Sequence, residues 1–137
     1  MSLSFEVGGS AKSKGSLTSY GPGQMVEAVE GSKEWREEVA WAALQAGRAA
    51  GWRMVTRPNG LEVDLAFRFR QIGRDPMPTT QRTYDVDKLA RNVLDALQDV
   101  RVMKNDAQVL RLVVEKDWAD EDHPPGLRVT VRVRPPS

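Results

Sequence analysis

The chain has 137 residues, with 20 Lys and Arg against 19 Asp and Glu, so no overall basic field marks it as a nucleic-acid binder. It has no cysteine and one histidine, which excludes a disulfide framework, a thiolate zinc site and a Cys nucleophile. Hydrophobic residues make up 40% and charged residues 28%, the balance of one soluble domain with one modest core. No apolar run nears the roughly 20 residues needed to cross a bilayer. The opening MSLSFEVGGSAKSKG lacks the apolar stretch of a signal peptide, so a cytoplasmic protein with no membrane role is expected.

Leu3, Phe5 and Val7 alternate with polar residues and predict a short strand. Gly8, Gly9, Gly15, Gly21, Pro22 and Gly23 predict a flexible loop across residues 8–31, with Lys12 and Lys14 in it. Ser32 suits the N-cap of a helix from about Lys33 to Ala50. In that helix Trp35, Val39, Ala43 and Ala46 form an inward stripe. From Leu61 to Arg70 apolar and polar residues alternate, the clearest strand of the chain.

Pro76 and Pro78 mark a loop, and a second helix is predicted from Val86 to Gln98, apolar along Leu89, Val93, Ala96 and Leu97. Strands are predicted from Gln108 to Glu115 and, after the turn ADEDHPPG, from Leu127 to Arg134. The order β-α-β-α-β-β predicts a single α+β domain over residues 1–137, with helices packed on a mixed sheet.

Chemistry concentrates in TYDVDKLARNVLDAL. Asp85 and Asp87 stand at the mouth of the second helix, and Asp87, Arg91 and Asp95 fall on one helical face. Asp106 opens the next strand. Three carboxylates converging from two elements would suit Mg²⁺, which takes oxygen ligands and keeps several waters. Such an ion can activate water against a phosphodiester. A plainer reading fits the same residues: Asp85 as N-cap, Asp87 as a first-turn acid, Asp106 as turn chemistry.

Elsewhere, Lys12 and Lys14 could hold DNA phosphates. Arg68 with Arg70, and Arg128 with Arg132 and Arg134, could track a backbone or simply be solvated strand faces. Among the four tryptophans, Trp118 is the candidate for stacking on a base.

The run DVDKLARNVLDALQDVRVMKNDAQVLRLVVEK resembles the core of the RusA-type Holliday junction resolvases. That core has an Asp-x-Asp helix start, a Leu-Asp-Ala-Leu segment and an Asp-Asp-Ala-Gln-Val turn before a strand ending near a Lys. The resemblance is strong from Tyr84 to Lys116 and weaker over the rest. It implies a homodimeric endodeoxyribonuclease, dependent on Mg²⁺ or on Mn²⁺ in its place, that cuts four-way DNA junctions and is often encoded by prophages.

It further implies that Asp85, Asp87 and Asp106 are catalytic metal ligands, and that Arg91 takes the place of the helix lysine near the scissile phosphate. Three positions depart from the pattern: Lys88 replaces Asn, Arg91 replaces Lys, and Asn105 replaces the first Asp of the pair. Arg91 keeps a positive charge but cannot act as a base. Lys88 could contact DNA or neutralise the acids. An alternative expectation is therefore a branched-DNA-binding protein of the same fold with weakened catalysis.

Overall fold

The computed structural model describes residues 1–14, 17–19, 25–27 and 30–137. Six strands and two helices follow in the order β1 (Ser2–Gly8), β2 (Leu17–Ser19), β3 (Met25–Glu27), α1 (Ser32–Ala50), β4 (Gly60–Phe69), α2 (Val86–Asp99), β5 (Val109–Trp118) and β6 (Gly126–Arg134). The long strands and both helices stand where the hydrophobic periodicity places them. The α+β class and the mixed sheet are as expected.

Four strands form one sheet in the order β1-β6-β4-β5. β6 lies antiparallel to both β1 and β4, while β4 and β5 run parallel. Parallel neighbours need a crossover, and α2 supplies it. The alternation in β4 buries Leu61, Val63, Leu65, Phe67 and Phe69 beneath the helices. Its other set, Glu62, Asp64, Ala66 and Arg68, faces the open side.

α1 buries Trp35, Val39, Ala43 and Gly47, and α2 buries Leu89, Ala90, Val93, Ala96 and Leu97. Both stripes recur at helical spacing and meet one core. α1 packs on β1, and α2 packs on α1 and β5.

α1 begins one residue earlier than expected. Gly31 occupies the N-cap position with φ +82°, a conformation glycine adopts at little cost, and Ser32 is buried as the first helical residue. The loop expected from residue 8 to 31 is tied down at its start. Gly9 N–H donates to Pro125 O at 3.2 Å and Lys14 N–H to Lys88 O at 3.1 Å, while Ala11 and Ser13 are buried. β2 and β3 pair antiparallel within the same stretch. Residues 15–16, 20–24 and 28–29 of the expected loop lie outside the described residues.

One buried polar group joins these parts. Asn92 Nδ2 donates to Lys12 O at 3.1 Å and to Ser32 O and Oγ, each at 3.3 Å. It thus ties the N-terminal arm, the start of α1 and the middle of α2. A buried amide without these partners would cost about 1–3 kcal/mol.

Candidate active site at the start of α2

Asp85 is the N-cap residue of α2 by backbone conformation, with φ −80° and ψ 141°, yet its side chain makes no capping hydrogen bond. Its carboxylate is therefore not consumed by the helix and is 69% exposed. Asp87, in the first turn, is also exposed and has no ion-pair partner among the described residues. The helix dipole favours both charges and leaves their oxygens turned to solvent.

The backbone leading into Asp85 is held in an unusual state. Tyr84 has φ +66° and ψ 168°, a region that costs a side-chain-bearing residue about 1–3 kcal/mol. Two contacts over-determine it. Lys116 Nζ, from the end of β5, donates to Tyr84 O at 2.8 Å and to Thr83 Oγ1 at 3.1 Å. Thr83 is fully buried, and its hydroxyl donates to Pro78 O and Thr80 O, each at 2.9 Å. Sequence reading missed Thr83, Tyr84 and Lys116 as supports of the site. A lysine that ends a buried-face strand beside a TYD turn was the available signal.

Arg91 lies one turn beyond Asp87 on the same helix, exposed and without an ion-pair partner among the described residues. Lys88 Nζ stands 4.0 Å from Asp85 Oδ2, a loose exposed contact worth little that leaves both groups available. The third member of the expected face has another use: Asp95 accepts from Lys14 Nζ at 2.8 Å and lies 3.8 Å from Arg36. Lys14 is thereby held against α2, near the site. Lys12, half-buried, is held through its carbonyl by Asn92.

Asp106 does not join Asp85 and Asp87 within one chain. It opens a short 3-10 turn, Asp106–Gln108, and its N–H donates to Gln98 Oε1, in the last turn of α2. Asp85 precedes the first turn. The helix has 14 residues, so about 20 Å of helix lies between the two ends. Among the described residues, no three Asp, Glu or His side chains gather as a metal group.

Asn105 has a structural task. Its Oδ1 accepts from Ala107 N–H at 2.7 Å, and Gln108 Oε1 accepts from Asn105 N–H at 3.0 Å. This reciprocal capping leaves the Asp106 carboxylate exposed and out of the turn's own hydrogen bonds.

The other charged candidates are internally balanced. Arg132 donates to Asp64 and Arg134 to Glu62, at 2.6 and 2.8 Å. Arg128 donates to Glu6 at 3.0 Å, and Arg68 lies 3.2 Å from Asp117. The hydrogen bond from Arg134 holds the Glu62 carboxyl below the usual glutamate range, and Asp64 raises Arg132. Arg70 is exposed at the end of β4. Trp118 is buried, with Nε1 donating to Asp75 O at 2.7 Å, so it offers no open ring for stacking.

No curated protein matches the chain. The model of the endodeoxyribonuclease RusA family matches residues 10–134, a span that takes in both helices, the Asp85–Asp87 turn, Asp106 and all of the four-stranded sheet except β1. The chain therefore belongs to the endodeoxyribonuclease RusA family.

Proposed function

We propose that the protein is a Mg²⁺-dependent endonuclease that resolves four-way DNA junctions by hydrolysing phosphodiester bonds. The observation that carries this reading is the pair Asp85 and Asp87. Both are exposed, neither is spent on capping, and they follow a strained turn that Lys116 fixes in place. Mg²⁺ is commonly held by one or two carboxylates together with substrate phosphates, and this pair suits that mode. When bound there it would lower the pKa of a water and offset charge on the phosphate.

The protein's own groups supply the rest. Asp85 and Asp87 would hold the ion. The guanidinium of Arg91 clamps the scissile phosphate through paired N–H donors and, always protonated, moves no proton. Lys88, beside Asp85, and Lys12 and Lys14, on the N-terminal arm bonded along α2, attract the DNA backbone. A homodimer suits a substrate with two equivalent strands to cut.

The test is cleavage of an end-labelled four-way junction in Mg²⁺, in Mn²⁺ and in EDTA, by the native protein and by Asp87→Asn. Cutting that requires the divalent ion and falls at least about 100-fold in the variant, more than the 10–100-fold that outer-shell partners of metals carry, supports the reading. A native protein that binds the junction tightly and never cuts it overturns the reading. That outcome favours a branched-DNA binder, a second reading motivated by Lys88 standing 4.0 Å from Asp85, where it offsets the charge a metal needs.

A further inference from the structure

We propose that the protein carries a separate duplex-binding surface at the C-terminal end of α2, where Arg53, Arg57, Arg101 and Lys104 grip the phosphate backbone whether or not the DNA is branched. The proposal deepens the nuclease reading above and rests on it for the choice of DNA among polyanions. The surface itself rests on four cations that the chain leaves unpaired.

From Gly47 to Leu61 the sequence has three arginines and no acid, and from Val100 to Gln108 it has Arg101 and Lys104 against Asp106 alone. The whole chain carries a net charge of only +1, so this is a local excess. The fold lays the two stretches side by side. Val55 and Met103 form an isolated parallel bridge, and both are buried. Val55 N–H donates to Val102 O at 3.3 Å, and Trp52 Nε1 donates to the same oxygen at 3.0 Å. Gln108 clasps both stretches: its Nε2 donates to Val55 O at 2.9 Å, and its Oε1 accepts from Lys104 N–H at 3.0 Å. Arg57 and Lys104 line one groove.

The four side chains are exposed, and none has an ion pair or a side-chain hydrogen bond among the described residues. Of the acids closest in sequence, Asp99 is bonded to Arg36 and Glu62 to Arg134, at 2.7 and 2.8 Å, and Asp106 pairs with none of the four. Cations on the open face of the sheet do have acid partners, as Arg128, Arg132 and Arg134 show. Duplex DNA presents one negative charge for about every 1.7 Å of its axis. Exposed cations on fixed backbone meet that row of charge without reading bases, so the grip is indifferent to sequence and to branching.

Arg101 supplies an independent observation. α2 closes with a complete Schellman motif: Arg101 N–H donates to Gln98 O at 3.1 Å, and Val102 N–H donates to Leu97 O at 3.0 Å. The residue just past the cap in this motif is left-handed, and Arg101 has φ +61°. Glycine most often fills that position because it has no Cβ to clash. Arginine there gives up backbone ease, and the attraction of an exposed cation to the negative end of the helix is the smaller effect. The strain is accounted for when the guanidinium has a use outside the chain.

The test is binding of a labelled four-way junction and of a linear duplex of matching sequence, over a series of salt concentrations in EDTA, so that cutting plays no part. Each phosphate contact contributes about 0.9 to the slope of log affinity against log salt. The double variant Arg53→Gln, Arg57→Gln should flatten that slope by about 2 for both DNAs and keep the ratio of their affinities. The control, Arg128→Gln with Arg134→Gln, removes the same charge from paired cations and should leave both slopes as they are. Arg101→Gly separates backbone strain from binding: it should melt no lower than the native chain, yet lose about 1 from each slope. Slopes that do not move in the first variant, or that move equally in the control, overturn the surface. So does an Arg101→Gly chain that melts lower and binds as before. A loss confined to the junction overturns the branch-independent grip. If the native protein never cuts a junction in Mg²⁺, the nuclease reading falls, and the salt slopes still decide the surface.

Discussion

Two charged surfaces of this small domain are used in opposite ways. On the open face of the sheet nearly every charge meets its opposite: Arg132 with Asp64, Arg134 with Glu62, Arg128 with Glu6, Arg68 with Asp117. At the start of α2 the charges are left unspent. Asp85 forgoes its capping bond, Asp87 and Arg91 have no ion-pair partner among the described residues, and the backbone between them and the sheet is strained and pinned. A balanced lattice solvates and orders a surface. Unspent charge held on fixed backbone waits for something outside the chain. Counting acids and bases along the sequence does not separate the two, since both regions read as mixed charge.

The contrast can be broken most severely at its hidden support. Asn92→Ala removes the donor that ties Lys12 and Ser32 to α2 and leaves those carbonyls without it; a loss of about 1–3 kcal/mol is expected. Urea unfolding measures it, and a variant as stable as the native chain would show that the tie contributes nothing. Lys116→Met acts on the site side alone. It frees Tyr84 O and Thr83 Oγ1, so stability should fall by about 1 kcal/mol while junction cleavage falls about tenfold, with binding nearly kept. Recovery by Lys116→Arg would argue for charge; its absence would argue for the geometry of a single ammonium.

The smallest effect belongs to the lattice. Arg134→Ala should leave cleavage unchanged and lower stability slightly, as exposed pairs do. The sign with pH follows from Glu62. Arg134 depresses its carboxyl in the folded state, so the pair stabilises above the ordinary glutamate range and stops doing so as pH falls through the lowered folded value. The gap between native and variant midpoints should therefore close on acidification. A gap that widens in acid would contradict the assignment.

Much of the fold could be read from spacing alone. β4 and β6 alternate so strictly that one face had to be buried, and Leu89, Val93, Ala96 and Leu97 define α2 without help from tertiary structure. Strand order is different in kind. That β6 inserts between β1 and β4 depends on pairing across 130 residues, such as Ser2 with Arg132, and no local pattern encodes it. The acids at Asp85 and Asp87 were legible as a pair. Their distance from Asp106 was not, because a separation of 19 residues is silent about which end of a helix the chain has returned to. Asn92 hid for a similar reason: a polar residue between Arg91 and Val93 reads as surface until its three acceptors are seen around it.

The position of β6 also sets an order of events as the chain is made. β1 and β4 are not paired with each other; each finds its antiparallel partner in Gly126–Arg134, the last strand to be synthesised. Until that segment leaves the ribosome, β1 has no strand to pair with in the sheet and the core face of β4 is open on one side. Helices and the β4–β5 pair can form early, but the sheet cannot close by halves, and such long-range closure is slow. A nascent chain stalled just before Gly126 should remain sensitive to protease along β1 and gain protection in one step once β6 emerges.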